Sequence, residues 1–191
     1  MSISPPEKHQ SLRNQLLIAM PGMDDSRFAH TVTYICDHSP DGAMGLVINQ
    51  PLGTDLDDLF EQMGFDLDPE RRDYPVLCGG PVHPERGFVL HRRGPRWSHT
   101  VDLSEDIALT ASRDVLESMA GGEGPVSALV MLGYAGWGAG QLEQELADNV
   151  WLTVPASPAI LFDTPFEQRA RAAASQLGID LNLLSAQAGH G

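Results

Sequence analysis

The chain has 191 residues, of which 42% are hydrophobic and 20% are charged, and its 26 acidic and 12 basic residues give a formal net charge of −14. A chain of this length can bury roughly 70% of its unfolded surface, so one domain forms a core without metal or disulfide support. The composition excludes a mainly disordered protein. Its longest weakly polar run, residues 128–140, is too short and too rich in glycine to span a bilayer.

The first half of the chain predicts a tail, six strands and one helix. Residues 1–15 are polar and contain no signal-peptide stretch, so we expect a frayed tail, a cytoplasmic location and a single domain over residues 16–191. A helix is predicted after Thr54, because the apolar positions 56, 59, 60 and 63 share one face and Gly64 follows them. The predicted strands are residues 16–20, 31–36, 44–49, 74–78, 87–91 and 97–103.

The second half alternates predicted helices and strands. Ser112 is expected to cap a helix that ends at Gly121, and residues 128–132 and 150–154 read as strands on either side of a helix over 141–147. Thr164, followed by a proline and a glutamate, has the pattern of a capping box and predicts a last helix ending at Gly178. Hairpins first and strand–helix alternation later indicate an α+β or mixed-sheet α/β domain.

The glycine-rich segment 133–140 is the most suggestive candidate site. It follows a predicted strand and precedes a helix, where backbone N–H groups can approach a phosphate. The dinucleotide spacing fails, because position 141 is Gln141 instead of glycine. Two readings stay open: a tight structural turn, in which Gly138→Ala lowers stability by about 1 kcal/mol, or a ligand-binding loop. The candidate ligand-binding residues are Asn49, Gly79, Gly80, Tyr134, Gly136, Trp137 and Gln141.

The two cysteines, Cys36 and Cys78, are predicted to be reduced, buried and inert. Disulfides are rare in the cytoplasm, and two cysteines 42 positions apart match no zinc spacing. We therefore predict no disulfide between them and no catalytic thiol.

Arginines and histidines cluster between residues 83 and 99. Arg92, Arg93 and Arg96 lie beside Trp97 and either form a local nucleic-acid surface, to which Arg86 would add, or belong to a solvated hairpin tip with its turn at residues 94–95. The three histidines His83, His91 and His99 recur every eight residues without acidic or cysteine partners, so we predict no metal site. No G-x-S-x-G motif or other catalytic signature is present, so the residues favour a protein without enzymatic activity but leave an enzyme open as the alternative, and we predict no cofactor.

Several segments together resemble one family of bacterial proteins, the YqgE/AlgH family. Among them are LGYAGWGAGQLE at residues 132–143 and GAMGLVIN at residues 42–49. The resemblance covers nearly the whole chain after residue 14, and Gln50 stands where related proteins often have a basic residue before the proline. The remaining segments are residues 16–21, 28–34, 79–82, 86–91, 112–116, 151 and 160–163.

The resemblance implies a single domain with a mixed, bifurcated or barrel-containing β-sheet flanked by helices. It also implies a role as a transcriptional regulator of alginate production, with no established activity, cofactor or catalytic residues. The chain carries no helix-turn-helix, zinc or basic-helix signature, and its net charge of −14 opposes direct DNA binding.

We therefore expect a monomer that acts through a protein partner or a small ligand and does not bind a membrane. The alternative is a small-molecule-binding protein or enzyme that uses the Gly79–Gly80 and Gly136–Gln141 loops.

Overall fold

The computed structural model describes residues 10–21, 30–66 and 74–188, with side chains described as far as Leu184. Its strands are β1 (Gln15–Ala19), β2 (Val32–Ser39), β3 (Gly42–Val47), β4 (Pro51–Asp55), β5 (Pro75–Cys78), β6 (Val82–Arg92), β7 (Thr100–Asp102), β8 (Ile107–Thr110), β9 (Ala128–Gly138) and β10 (Trp151–Pro155). Its helices are α1 (Leu56–Met63), α2 (Arg113–Ala120), α3 (Gln141–Ala147), α4 (Pro158–Phe162), α5 (Arg169–Ser175) and α6 (Leu181–Ala188), with a 3-10 turn at Phe166–Gln168. None of these helices is long and apolar enough to cross a bilayer.

The strands form one sheet in the order β10-β1-β2-β3-β9-β6-β8-β7. All neighbours along this path are antiparallel, while β5 pairs in parallel with β9 and carries β4 on its other side. The sheet is thus mixed, and it curls into a half-barrel flanked by short helices. The predicted α+β class and single domain with a bifurcated sheet are confirmed.

Strand β9 is the point at which the sheet divides. Its first part, up to Tyr134, pairs with β6 and β5, whereas its last part, from Ala135, pairs with β3. The predicted strand over 128–132 therefore continues through Gly138, and the prediction of a glycine-rich loop over 133–140 is wrong for residues 133–138. Glycine usually weakens a strand, but the glycines of β9 allow neighbouring backbones to approach this strand closely.

Both faces of the sheet are covered, so the central strands are buried on both sides. On β1, the adjacent residues Leu16 and Leu17 point to opposite faces and are both fully buried. Leu16 packs in a cluster with residues of α4 and α5, and Leu17 in a cluster with Trp137 and α3. A third cluster packs α1 and α2 against β5, β6 and β9.

The predicted elements of the first half are mostly confirmed, with shifts at their ends. The β2–β3 hairpin forms as expected, and Gly64 ends α1 in the left-handed conformation. The cap of α1 is Asp55 instead of Thr54, because the Asp55 carboxylate accepts a hydrogen bond from the Asp58 N–H at 3.0 Å. We did not predict β4. In the expected tail, Ser11, Leu12 and Asn14 are hydrogen-bonded to β2 and Gln15 belongs to β1, while residues 1–9 lie outside the described part.

The expected hairpin around residues 94–95 is wrong. Strands β6 and β7 do not pair with each other, because β8 lies between them and pairs with both. Ile107–Thr110 is a strand of only four residues, and we did not predict it from the sequence. The arginine-rich segment is therefore a connection between strands that are not neighbours.

The expected last helix is divided into shorter pieces. Thr164 does not cap a helix with its side chain; its hydroxyl donates to the Ala159 carbonyl at 2.9 Å and so helps to end α4. The chain then forms the 3-10 turn before α5 begins at Arg169. Ser157, which we did not identify, caps α4 by accepting from the Ile160 N–H at 3.3 Å.

Candidate functional site

Gly79 and Gly80 lie where the backbone of β9 changes partners. Gly79 donates to the Leu132 carbonyl at 2.8 Å and accepts from the Val47 N–H at 2.8 Å, which joins β5, β9 and β3. Gly80 has a φ of +154°, and a Cβ there would overlap the Tyr134 backbone. Both glycines are buried, so the space beside them is filled by the protein's own chain.

Tyr134 and Gly136 lie on the neighbouring stretch of β9. The half-buried Tyr134 ring stacks on His83 with 6.0 Å between ring centres and meets Phe88 edge-on at the same distance. Gly136 is exposed and pairs with Met44 of β3.

Trp137, Gln141 and Glu145 form a hydrogen-bonded group with Trp151. Trp137 is only 7% exposed, and its indole N–H donates to Glu145 Oε2 at 2.7 Å. The Trp151 indole N–H reaches the same oxygen at 3.0 Å. Gln141 is exposed; it accepts from the Gly138 N–H at 3.0 Å and donates to Glu145 Oε1 at 3.4 Å. This group holds the start of α3 against β9 and β10.

Asn49 lies away from the glycine-rich segment. Its side-chain oxygen accepts from the Val32 N–H at 2.9 Å, and its amide donates to the His30 carbonyl at 3.0 Å. The amide thereby fixes the start of β2. The seven candidate residues are thus spread over at least three places with structural contacts of their own, and their role in ligand binding stays a prediction.

The two cysteines are free thiols in different surroundings. Cys36 is buried, and burial raises the pKa of its thiol to about 12. Cys78 is half-buried and its Sγ–H donates to the Gly80 carbonyl at 3.7 Å. Asp37, the neighbour of Cys36, is exposed, and the register of β2 shifts between Ile35 and Asp37.

The arginines of the predicted basic cluster are held in ion pairs. Arg92 binds Asp163 at 2.9 Å, while Arg93 and Arg96 bind Asp102 at 3.2 Å and 2.9 Å. Arg86, the fourth residue of the expected basic face, lies over the Phe88 ring instead, with its guanidinium carbon 5.2 Å from the ring centre.

Trp97, the expected stacking residue, is engaged as well. It is half-buried, donates its indole N–H to Ser118 at 2.9 Å and contacts the His91 ring edge-on at 5.3 Å.

The structure does not bring the three spaced histidines together. His83 is exposed beside Glu85, and His99 is exposed on the chain before β7. His91 is fully buried, and its Nε2 lies 2.7 Å from the Thr110 hydroxyl. Within the described part of the chain, no group of three potential metal ligands occurs.

Among the cavities bounded by described residues, three lie between the sheet and the helices. One of about 210 Å³ lies between β1 and α5, and one of about 310 Å³ lies between β6 and α2. The third, of about 330 Å³, is bounded by β5, the start of β9 and the chain from Phe162 to Arg169; we call it the Arg169 cavity. None of the seven sequence-predicted candidates lines any of the three.

Arg169 is a buried cation in the wall of this cavity. Only 6% of its surface is exposed. Its Nε–H donates to the Thr164 carbonyl at 3.0 Å, and its Nη1 donates to the Ile48 carbonyl at the end of β3. Burial lowers the pKa of the guanidinium to about 10, so it stays protonated at neutral pH.

We did not identify Arg169 as a functional residue from the sequence, although a signal was present. In a helix that starts after Thr164, the apolar residues Phe166 and Ala173 share one face. Arg169 is three residues after the first and four before the second, which is the spacing of one helix face. A charged residue on this apolar face is expected to be buried. Because buried charges are rare, such a residue is a candidate for a functional site.

Comparisons with known proteins agree on one family. A family model described as AlgH-like matches residues 16–182. A UPF0301 protein of Thioalkalivibrio sulfidiphilus is 56% identical over 93% of this chain and 95% of its own length. A UPF0301 protein of Methylococcus capsulatus is 52% identical over 94% of this chain and 96% of its own length.

Solved structures show the same fold. The solution structure of the AlgH protein from Pseudomonas aeruginosa is 51% identical and has a TM-score of 0.77, and the match covers 100% of both chains. The crystal structure of a protein from Corynebacterium diphtheriae is 18% identical with a TM-score of 0.72, over 97% of this chain and 94% of the other, and shows the fold alone.

Proposed function

This chain belongs to the AlgH-like family, and from that premise we propose that it is a regulatory protein that acts through a small ligand or a protein partner without contacting DNA itself. Family resemblance suggests the regulation of transcription, with alginate production as its target. The indirect mode of action comes from the charges of this chain.

The observation that carries the proposal is the pairing of the arginine-rich segment. Arg92, Arg93 and Arg96, the arginines of the candidate nucleic-acid surface, each lie within 3.2 Å of an aspartate oxygen. Exposed ion pairs contribute little to stability, but the two aspartates offset two of the three positive charges and so reduce the local positive potential that phosphate contacts require. On a chain with a net charge of −14, we infer that no basic face remains there for a duplex.

A cavity with a buried charge supports a ligand-dependent mode of action. A ligand shifts a conformational equilibrium only when it binds one state better than the other. The Arg169 cavity lies between β5, β9 and the segment that leads into α5, so an occupant there contacts elements from distant parts of the chain. The Gly79–Gly80 stretch is a less suitable binding place, because the backbone of β9 already fills the space beside it.

Fluorescence anisotropy with labelled duplex DNA tests the proposal. At about 150 mM salt we expect no binding at sub-micromolar protein that distinguishes a regulated promoter from a random duplex. The variant Asp102→Asn removes the carboxylate that pairs two of the arginines, so it should raise non-sequence-specific binding at low salt. Asp148→Asn makes the same change in charge away from any arginine pair seen in the structure and is the matched control. Tight, sequence-selective binding by the wild-type protein would contradict the proposal.

A further inference from the structure

We propose that the Arg169 cavity binds a small organic molecule with one carboxylate group and an apolar or aromatic body. This inference rests on the proposed function and names the ligand class for it. The carboxylate would pair with the Arg169 guanidinium, and the body would fill the space between β5, β9 and the segment from Phe162 to Phe166.

The first step is the charge of Arg169, which has no ion-pair partner within the described ranges; the Glu167 carboxylate raises its pKa from a longer distance, but burial outweighs this effect. Among the described residues, no carboxylate lies within ion-pair distance of this guanidinium, and its two protein acceptors are neutral backbone carbonyls. A buried charge is costly unless an opposite charge or several hydrogen bonds accompany it. An anion in the cavity beside Arg169 would therefore interact with the guanidinium more strongly than it would in water.

The second step is the unused donors of the guanidinium. Arginine has five N–H groups in a planar fork, and Thr164 and Ile48 accept from the Nε and Nη1 atoms only. The Nη2 atom has no protein acceptor in the described part of the chain. Because Arg169 lines the cavity, a carboxylate bound there can accept from Nη2.

The third step is the shape and lining of the cavity. Its volume of about 330 Å³ is at the lower end of the range for small-molecule sites, roughly 300–1,000 Å³. The aromatic rings of Tyr74, Phe162 and Phe166 and the aliphatic side chains of Leu77 and Leu129 contribute to its walls. A wall of this kind binds an apolar body, while the single guanidinium fixes the orientation of the anionic end.

The fourth step favours a single negative charge. The rim carries one acidic residue, Asp163, which is already paired with Arg92 at 2.9 Å. The whole chain is strongly acidic and repels a dianion more than a monoanion. One cation therefore matches one carboxylate better than it matches a phosphate monoester.

Titration of the wild-type protein by ¹H–¹⁵N NMR spectroscopy tests this inference directly. The probes are benzoate and 3-phenylpropionate, with benzamide as a neutral analogue, acetate as an anion without a body, and inorganic phosphate as a dianion, all at equal ionic strength. We expect saturable shifts at the amides around the cavity, such as those of Leu129 and Thr164, with the two aromatic carboxylates only. Equal shifts with benzamide, equal shifts with phosphate, shifts confined to other regions, or no shifts at millimolar probe would each overturn the inference.

Two variants identify the cation. Arg169→Gln should weaken benzoate binding at least about tenfold. Arg171 is an exposed arginine of the same helix, and it lines the cavity between β1 and α5. Arg171→Gln should therefore change the affinity for benzoate less than about twofold. Unchanged affinity in a folded Arg169→Gln protein would overturn the assignment. If that variant does not fold, the comparison of benzoate with benzamide on the wild-type protein still decides the question.

The outcomes separate this inference from the proposed function. Failure of every carboxylate to bind, while the protein still ignores DNA, overturns the ligand class and leaves a protein partner as the route of regulation. Sequence-selective DNA binding overturns the proposed function, whether or not benzoate binds.

Discussion

Trp137 and Trp151 lie on strands that are separated by three others in the sheet, yet their ring centres are 6.1 Å apart. Both indole N–H groups donate to one oxygen of Glu145, at 2.7 Å and 3.0 Å. The two rings can meet only because β10, β1, β2, β3 and β9 curl around a common interior. The pair is therefore a direct sign of the half-barrel, and α3 covers its open side through Glu145.

Trp137→Ala should destabilise the protein strongly. Replacing a buried aromatic residue by alanine costs about 3–5 kcal/mol, and the change also leaves part of the Glu145 carboxylate without its donor. Urea unfolding followed by circular dichroism gives the free energy of unfolding. Val126→Ala, at a side chain that is 92% exposed, is the control and should stay within about 0.5 kcal/mol of wild type. A free energy of unfolding unaffected by Trp137→Ala would show that Trp137 is not a structural residue.

Gly80→Ala should be poorly tolerated, since the added Cβ overlaps the Tyr134 backbone and φ is +154°. We expect a loss of about 2 kcal/mol or more. Gly94→Ala adds a methyl group in open space and should be nearly neutral. Differential scanning calorimetry compares the two variants, and equal melting temperatures would refute the close crossing of the two backbones.

Gly138→Ala should also be nearly neutral, which corrects the expectation that we drew from the sequence. Gly138 has no positive φ, and an added Cβ would meet only Gln141 Oε1 at 3.9 Å. The residue ends a strand and is not part of a strained turn. A loss of about 1 kcal/mol or more on calorimetry would restore the original expectation.

His91 should make stability fall on the acid side of its ordinary pKa of 6.5. Its Nδ1–H donates to the Arg92 carbonyl at 2.8 Å, so Nε2 accepts from the Thr110 hydroxyl, and Thr110 in turn accepts from Thr100. A second proton would convert Nε2 from an acceptor into a donor and so break its hydrogen bond with the Thr110 hydroxyl. Burial lowers the His91 pKa and outweighs the Arg92 carbonyl and the Asp102 charge, which raise it.

The sign of the pH effect follows from proton linkage. Below pH 6.5 the unfolded chain binds a proton that the folded chain resists, so the free energy of unfolding decreases by at most about 1.4 kcal/mol per pH unit until the lowered pKa is reached. Above pH 6.5 the effect is absent. Urea midpoints between pH 5 and 8 should show a shallower dependence for His91→Gln than for wild type, and an unchanged dependence for the exposed His99→Gln. Identical curves for wild type and His91→Gln would contradict the assignment.

Cys36 should not react with a thiol reagent in the native protein. Its thiol is buried and its raised pKa, about 12, leaves almost no thiolate at pH 8. Titration with Ellman's reagent should find no rapidly reacting thiol in Cys78→Ser and two thiols in the denatured wild-type protein. Fast reaction of native Cys78→Ser would show that β2 opens, or that Cys36 is accessible.

The hydrophobic pattern predicted most of the fold, because strands and helices differ in the spacing of buried residues. The β2–β3 hairpin and the helix ended by Gly64 follow from such local signals. Strand β4 was not predicted because Pro51 and Gly53 are residues typical of turns. Strand β8 was not predicted because four residues are too few to show a periodic pattern. The partners of β9 depend on contacts between residues far apart in sequence, which no local pattern contains.

The candidate site was harder to predict for a related reason. Glycines in residues 133–140 suggested a ligand loop, but the space beside Gly133 is filled by the Gly80 carbonyl, and residues 133–138 belong to β9. Arg169 became a candidate only when the fold placed it between Ile48 and Thr164, which are respectively 121 and 5 residues away in sequence. The burial of a charge is decided by the tertiary structure, and the sequence offers only the helical spacing around it.

The measurement that tests the central claim most directly is transcription in cells that depend on a variant of this protein. In a bacterial strain from which the gene is deleted, the wild-type gene, Arg169→Gln and Arg96→Gln are each reintroduced, and transcripts are compared after both purified variants have been shown to fold. We predict that Arg96→Gln restores the wild-type transcript pattern, whereas Arg169→Gln leaves the pattern of the deletion strain. Restoration by Arg169→Gln together with failure of Arg96→Gln would contradict the claim and place the function in the arginine-rich segment.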